Sequence, residues 1–339
     1  MSNLHTIRLN DGTIVPTLAF GTGTALYSKD STAAVVQAIV KAGYTHIDCA
    51  EAYGNESNTG QAIQESGVPR ERLFITSKCS SKDPRRALEK TLKELNTTYV
   101  DLYLIHSPIQ TPNIAEAWKV MEDLRTEGKA RSIGVSNFRV KDLMAVLEVA
   151  KVLPSVNQIE MHPYVLASIQ PVLELCHKHK ITIESYGPLT PLIRHPGGPV
   201  DEPVRKVAAR MAKGPEVGVV TEGQVLLKWA QQRTGGVVIT TSSKLDRLLE
   251  QKAALDLPPL SNEELRSIET EGAKKHYRHF VSSCARGFEI ALNNHSLDEA
   301  YGRHINLDRA QWKIQNSLTR SRRLSTPARA VIKNVYLGI

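Results

Sequence analysis

Apolar and polar positions along the chain follow two alternating rhythms. Short runs rich in β-branched and aromatic residues recur at TLAFG (17–21), THIDCA (45–50), LFITSKC (73–79) and VDLYLIH (100–106). They continue at SIGVSN (132–137), VNQIEM (156–161), ITIESYG (181–187) and GVVITTS (236–242), and each reads as a strand. Helical patterns fill the intervals, over 30–42, 56–66, 84–95, 114–127, 139–150, 167–179, 200–212 with 222–233, and 244–253. Strict β–α alternation predicts a parallel sheet with crossover helices, an α/β fold. Eight such units within roughly 250 residues match the size of a (β/α)8 TIM barrel. Ahead of them, HTIRLNDGTIVP (5–16) holds two short runs around Asn10-Asp11-Gly12, the signal of a β-hairpin. That hairpin is expected to plug the N-terminal end of the barrel.

A barrel makes a demand on the chemistry, because its functional groups sit at the C-terminal ends of strands. The second strand ends in Asp48, the third in Lys78 and the fourth in His106. Side chains two apart share a face of a strand. His46 with Asp48, Phe74 and Thr76 with Lys78, and Leu102 and Leu104 with His106 can therefore all point inward. Burying any one of these ions alone is costly, whereas a mutually paired set costs less. Tyr53 follows in a polar loop. A free phenol has a pKa of about 10, and an ammonium within about 4–6 Å favours the phenolate. Asp48 would hold Lys78, Lys78 would lower the pKa of Tyr53, and His106 would donate to a substrate oxygen beside it. Tyr53 is then a proton donor for carbonyl reduction, a contribution typically worth about 10²–10⁴ in rate.

The stretches GYTHIDCAEAYGNE, ITSKC, DLYLIHSP, GKARSIGVSNF, VNQIEMHPY, SYGPL and TTSSKLDRLLEQ, in this order, resemble the aldo-keto reductases over residues 5–280. The resemblance implies NADPH-dependent reduction of an aldehyde or ketone, a small-molecule carbonyl substrate. It gives Asp48, Tyr53, Lys78 and His106 the catalytic places. It gives Ser136, Asn137 and Gln158 contacts to the nicotinamide carboxamide, and puts Tyr186 under the nicotinamide ring. Pro188 and Leu189 would line the pyrophosphate path. Gly23 and Thr24 would border the cofactor, and Thr241, Ser242, Ser243, Arg247 and Gln251 would hold its adenosine end. The family often carries a lysine where Thr241 stands, but Arg247 remains with Ser242, Ser243 and Lys244 nearby, so NADPH/NADP+ is expected over NADH. Bulky aromatic pocket residues are replaced by Ala25, Cys79 and Ser107, which predicts a wider, more polar pocket. The run YGPLTPLIRHPGGP (186–199) resembles the fungal conjugated polyketone reductase branch, which suggests dicarbonyls, including lactone ketones.

Two other functions are compatible with parts of the pattern. Some relatives of this fold are redox-sensing regulatory subunits of ion channels with little turnover. A large N-terminal extension or an apolar docking patch would favour that role, and neither is evident. GTGTAL (21–26) resembles a dinucleotide-binding G-x-G-x-x-G, but Leu26 stands in place of the third glycine. A Rossmann reading also needs a helix by residue 24 and an acid about 20 positions on. IVKAGY supplies no acid there. Simpler structural roles also fit some of these residues. Ser136-Asn137 could cap the helix near Arg139. Alternation turns Cys49 and Cys79 outward, into packing rather than nucleophilic roles.

Composition changes this picture little until the end of the chain. Hydrophobic residues make up 41%, ample for a core. The four cysteines show neither C-x-x-C nor zinc spacing, which fits a reducing compartment. There is no signal-peptide pattern, and no apolar run nears the roughly 18 residues of a membrane helix. A cytoplasmic protein without a membrane partner is expected, and the oligomeric state is left open. The net charge is +8. From Val281 onward nine Lys/Arg face four acids, so this segment carries most of the excess. The body is nearly balanced, and no nucleic-acid partner is expected.

The division is therefore a reductase barrel over 1–280 and a C-terminal extension over 281–339. The eight-unit barrel does not require the extension. It could be a basic arm, with RSRRLS (320–325) as a charge cluster or phosphosite, or a disordered tail. It could also be a gene-model artefact, since Val281-Ser282 can be encoded by GTAAGT, a typical intron start. The last reading predicts low order beyond Phe280, few contacts to the barrel, and full activity after truncation there.

Overall fold

The computed structural model describes residues 5–212 and 218–279. The expectations for 281–339 lie outside the described residues. The hairpin is formed by β1 (Thr6–Arg8) and β2 (Ile14–Pro16), with Ile7 opposite Val15. Its turn needs Gly12, whose φ of 91° suits glycine.

Eight parallel strands follow, β3 (Leu18–Gly21), β4 (His46–Asp48), β5 (Phe74–Cys79) and β6 (Val100–Ile105), then β7 (Ala130–Ser136), β8 (Val156–Glu160), β9 (Thr182–Tyr186) and β10 (Val237–Thr240). They form a closed barrel in chain order, sealed where β10 pairs with β3, Val238 opposite Leu18 and Thr240 opposite Phe20. Every strand expected from the sequence is present.

The inward faces are apolar at the bottom. Ala19, Phe74, Leu102, Leu104, Val156, Val237 and Ile239 pack there with Leu9 and Val15 of the hairpin. Hydrogen bonds fasten the plug at the N-terminal strand ends, from Ser132 Oγ to Thr13 Oγ1 (2.9 Å) and from Ser155 Oγ to Asp11 Oδ2 (2.9 Å). The outward faces carry Ile47, Cys49, Ile75, Cys79, Tyr103 and Ile105, which pack against the helices in one large core with Trp118 and Trp229.

Around the barrel run α1 (Thr32–Val36), α2 (Glu56–Ser66), α3 (Pro84–Glu94), α4 (Ile114–Thr126), α5 (Val140–Leu147), α6 (Leu166–Lys178), α7 (Thr190–Arg194), α8 (Asp201–Met211), α9 (Glu222–Thr234), α10 (Leu245–Ala253) and α11 (Asn262–Ala273). The first helical stretch passes into a π-turn over Gln37–Lys41. Caps set several starts. Asp83 accepts from Arg86 N–H ahead of α3, with Pro84 in the first turn, and Thr221 and Gln224 form a capping box on α9. Two helices lie outside the sequence expectation. The short α7 falls inside the proline- and glycine-containing run 186–199. The second is α11, which the Ser261–Glu264 capping box starts. Among the described residues no helix is long and apolar enough to cross a membrane.

Candidate active site

Asp48 closes β4 and Lys78 is the penultimate residue of the adjacent β5, both on inward faces and both buried. The ammonium has three hydrogens and three acceptors. It donates to Asp48 Oδ1 (2.6 Å), to the Cys49 carbonyl (2.9 Å) and to the Tyr53 hydroxyl (3.3 Å). Burial alone would lower the Lys78 pKa, but the Asp48 carboxylate opposes it and holds the amine above its ordinary range. Lys78 is therefore a fixed cation.

The other Asp48 oxygen accepts from Gln158 Nε2 (2.8 Å), and the same nitrogen donates to Glu184 Oε2 (2.8 Å). Glu184 is fully buried in β9. Burial, and then the charge of Asp48, push its carboxyl up to about 8. It stays protonated at neutral pH, so Lys78 faces one carboxylate rather than two.

Tyr53 ends a short turn, Glu51–Tyr53, that follows β4. Its carbonyl accepts from Ser28 N–H (2.8 Å), and Gly54 continues the chain at φ 65°. Gly23 lies against the ring, where a Cβ would come within 3.0–3.3 Å of ring carbons. A side chain there would displace the phenol. Lys78 Nζ lies 4.9 Å from the ring centroid. The expectation that the ammonium pulls the phenol below its usual pKa needs correction. Burial outweighs Lys78, and the net shift is upward. Tyr53 therefore holds its proton, and Lys78 offsets part of the cost of losing it.

His106 follows β6 and meets the Tyr53 ring edge-on, with centroids 5.6 Å apart at 82°. Burial, and then the Lys78 charge, lower its pKa to about 3, so the imidazole is neutral. Its Nδ1 lies 2.7 Å from Ser80 Oγ. Ser80 is not among the residues the sequence pattern marks, although it continues the alternation of Thr76 and Lys78. The pocket place assigned to Cys79 also needs correction. Cys79 is buried in the outer core, and Ser80 is the residue that reaches His106. Cys49 is likewise in the outer core.

Ser136, Asn137 and Gln158 meet at the ends of β7 and β8. Ser136 Oγ donates to the Gln158 carbonyl (2.9 Å). Asn137 Nδ2 donates to the His106 carbonyl (3.0 Å) and to Ser136 Oγ (3.1 Å). Tyr186 OH donates to Asn137 Oδ1 (2.6 Å). These side chains do not cap the next helix, because Ser136 is still strand. That helix instead starts where Arg139 N–H donates to Asp142 Oδ2 (3.1 Å). Asn137 has φ 62°, a costly backbone for a non-glycine residue and one that clusters at functional sites. With these donors spent, the trio has only acceptor capacity left, which suits the N–H2 of a carboxamide.

Beside β9 and β10 lies a cleft of ≈ 310 Å³ whose lining includes Leu189, Ile193, Thr221, Glu250, Arg247 and Gln251. Its carboxylates are engaged, Glu250 by Thr221 Oγ1 (2.7 Å) and Glu222 by Arg205 (3.2 Å). The exposed Arg247 forms no ion pair among the described residues, and buried oxygens of Thr241 (Oγ1) and Gln251 (Oε1) have no hydrogen-bond partner. A free guanidinium in a cleft whose carboxylates are already engaged fits a phosphate group. Ser242 and Ser243 follow β10 ahead of α10 and are not in the lining of the cleft; Ser242 Oγ accepts from Lys244 N–H (3.0 Å) and the Ser243 carbonyl from Gln37 (3.1 Å). Pro188 is buried rather than on the cleft surface. Thr24 is exposed at φ 45° in a single 3-10 turn, Thr24–Leu26. The long helix that a Rossmann fingerprint would require there is absent. Among the described residues no group of three or more His, Cys, Asp or Glu could hold a metal ion.

A closed parallel barrel with its polar groups at the C-terminal strand ends defines the class. The family profile described as "Aldo/keto reductase family" matches residues 16–271. The chain belongs to the aldo/keto reductase family. It is 40% identical over 282 residues to the NAD/NADP-dependent indole-3-acetaldehyde reductase of Schizosaccharomyces pombe, covering 80% of this chain and 96% of that protein. It is 37% identical over 260 residues to the NADPH-dependent alpha-keto amide reductase of Saccharomyces cerevisiae, covering 71% and 82%. A Bombyx mori aldo-keto reductase solved in complex with NADP superposes with a TM-score of 0.71 at 32% identity, covering 83% and 96%.

Proposed function

We propose that this protein reduces a carbonyl to an alcohol with NADPH, and that Tyr53 delivers the proton. The observation that carries this reading is the Lys78 ammonium bonded at once to Asp48 and to the Tyr53 hydroxyl, with a neutral His106 across the phenol. NADPH, when bound, supplies the hydride to the carbonyl carbon. The chain's residues handle the oxygen. His106 orients it with a hydrogen bond, and the Tyr53 O–H transfers its proton to it. The phenolate left behind lies next to Lys78, whose charge Asp48 keeps in place. A proton from water then restores the phenol. Ser136, Asn137 and Gln158 hold the carboxamide, Tyr186 supports the ring, and Arg247 reads the 2′-phosphate.

NADPH is favoured over NADH because Arg247 has no competing partner among the described residues, although Thr241 offers no charge. The named activities of the two yeast relatives support the cofactor class. An α-keto amide pairs adjacent carbonyls, which supports a dicarbonyl substrate here. The activity resides in residues 1–280, the span that includes the family match, and a chain ending at Phe280 should retain it. A panel of aldehydes, ketones and 1,2-dicarbonyls with NADPH and NADH tests the reading. Turnover that is fastest with NADPH and a dicarbonyl is expected, and no turnover with any carbonyl would overturn it.

A further inference from the structure

We propose that Ser80 is a positioning residue that sets the tautomer of His106: its hydroxyl donates to Nδ1 and thereby keeps the ring's single proton on Nε2, the nitrogen left for the substrate oxygen. The contact is short, 2.7 Å. Both partners are held from behind. His106 N–H donates to the Cys79 carbonyl (2.9 Å), and the His106 carbonyl accepts from Asn137 Nδ2 (3.0 Å). The Ser80 N–H donates to Glu51 Oε2 (2.9 Å).

A neutral imidazole carries one N–H, and which nitrogen has it is decided by the bond the other makes. His106 Nδ1 is the only partner of the Ser80 hydroxyl among the described residues. If the ring donated to Ser80 instead, the hydroxyl proton would have no acceptor among the described residues and would be left to solvent, and Nε2 would present a lone pair. Two lone pairs facing each other cannot hold a carbonyl oxygen. Nε2 itself has no partner among the described residues and is not sealed from solvent. The ring is neutral, so the tautomer, not the charge, decides whether His106 can donate. The catalytic consequence rests on the reductase reading, whereas the tautomer does not.

The test is nitrogen NMR of the full-length chain labelled at histidine, with His106 assigned by loss of its signals in His106→Gln. Wild type should show the proton on Nε2. Ser80→Ala should shift population toward Nδ1–H and lower kcat for carbonyl reduction roughly tenfold, with the KM for NADPH unchanged. Ser80→Thr keeps a hydroxyl and should return both signatures toward wild type. A wild-type ring protonated on Nδ1, or a Ser80→Ala ring with the wild-type tautomer, overturns the inference. Tyr53→Phe is assayed alongside. Normal turnover in that variant would remove Tyr53 as the proton donor, and no turnover of any carbonyl by the wild type would remove the reductase reading; neither outcome touches the tautomer measured by NMR.

Discussion

The two ends of the barrel use one backbone pattern for opposite purposes. Along the inward face of β5 the residues run Phe74, Thr76, Lys78, and along β6 and beyond it Leu102, Leu104, His106. At the bottom this alternation buries apolar side chains under Leu9 and Val15 of the hairpin, and the polar atoms there find partners in Ser132 and Ser155. At the top the same alternation buries an ammonium, a carboxylate and a protonated acid. Hydrophobic burial at the bottom stabilises the fold. The buried ions at the top are weak contributors to stability even when paired. The lower end can therefore be weakened without touching chemistry, while the upper end cannot be changed without altering the reaction.

The largest effect expected is on rate. Tyr53→Phe should lower kcat at least about a hundredfold while NADP+ binding, followed by fluorescence titration, stays near wild type. Near-normal turnover would mean that the upper end is not arranged around a phenol.

Lys78→Met tests whether the upper ions are interdependent. It leaves Asp48 buried and without its cation, a loss of about 3–5 kcal/mol, and it should also slow turnover severely. A variant that unfolds in denaturant like wild type would show that Asp48 needs no counter-charge. Leu9→Ala is the counterpart at the lower end. It should cost about 2 kcal/mol or somewhat more, yet kcat measured well below the melting temperature should not change. A Leu9→Ala enzyme that is stable but slow would erase the distinction between the ends.

How much of this the sequence revealed differs between the ends too. The hairpin and all eight strands were legible because period-two patterning and turn residues are local signals. Asp48, Lys78 and His106 were legible because each stands at a strand end. The helix α11 was missed although Ser261 and Glu264 carry a capping signal, and α7 was hidden by its prolines and glycines. Ser80 escaped because the apolar run stops at Cys79, whereas its alternation continues one step further. Glu184 escaped because an acid in mid-strand normally faces solvent, and only barrel closure puts it beside Gln158 and Asp48. The direction of the Tyr53 shift was not legible at all. It depends on burial outweighing one charge, a balance that only a three-dimensional environment sets.

A smaller effect is expected at the cleft beside the upper end. Arg247→Ala should raise the KM for NADPH roughly tenfold and leave that for NADH nearly unchanged. Equal effects on both cofactors would show that this guanidinium does not read the phosphate.

The smallest effect concerns two buried acids, one under the site and one between barrel and helices. Glu184 titrates at about 8 and Glu56 at about 7, both pushed up chiefly by burial, from an ordinary value of 4.5. Glu56 lies away from the pocket, held by the hydroxyls of Ser77 (2.5 Å) and Thr91 (3.0 Å). Between pH 4.5 and each raised value the folded chain keeps a proton that the unfolded chain releases. Stability must therefore fall as pH rises through that window, which closes near 7 for Glu56 and near 8 for Glu184. Either Glu→Gln change should flatten its share of the decline, as read from denaturation midpoints at pH 5, 6.5 and 8. Only Glu184 shares the Gln158 amide with Asp48. Its ionisation adds negative charge where the cationic nicotinamide of NADP+ is proposed to lie. NADP+ affinity in the wild type should accordingly rise a few-fold between pH 6.5 and 8.5. Glu184→Gln should abolish that rise, and Glu56→Gln should retain it. If both variants lose the rise, the pH dependence belongs to the fold as a whole, and Glu184 has no special connection to the site.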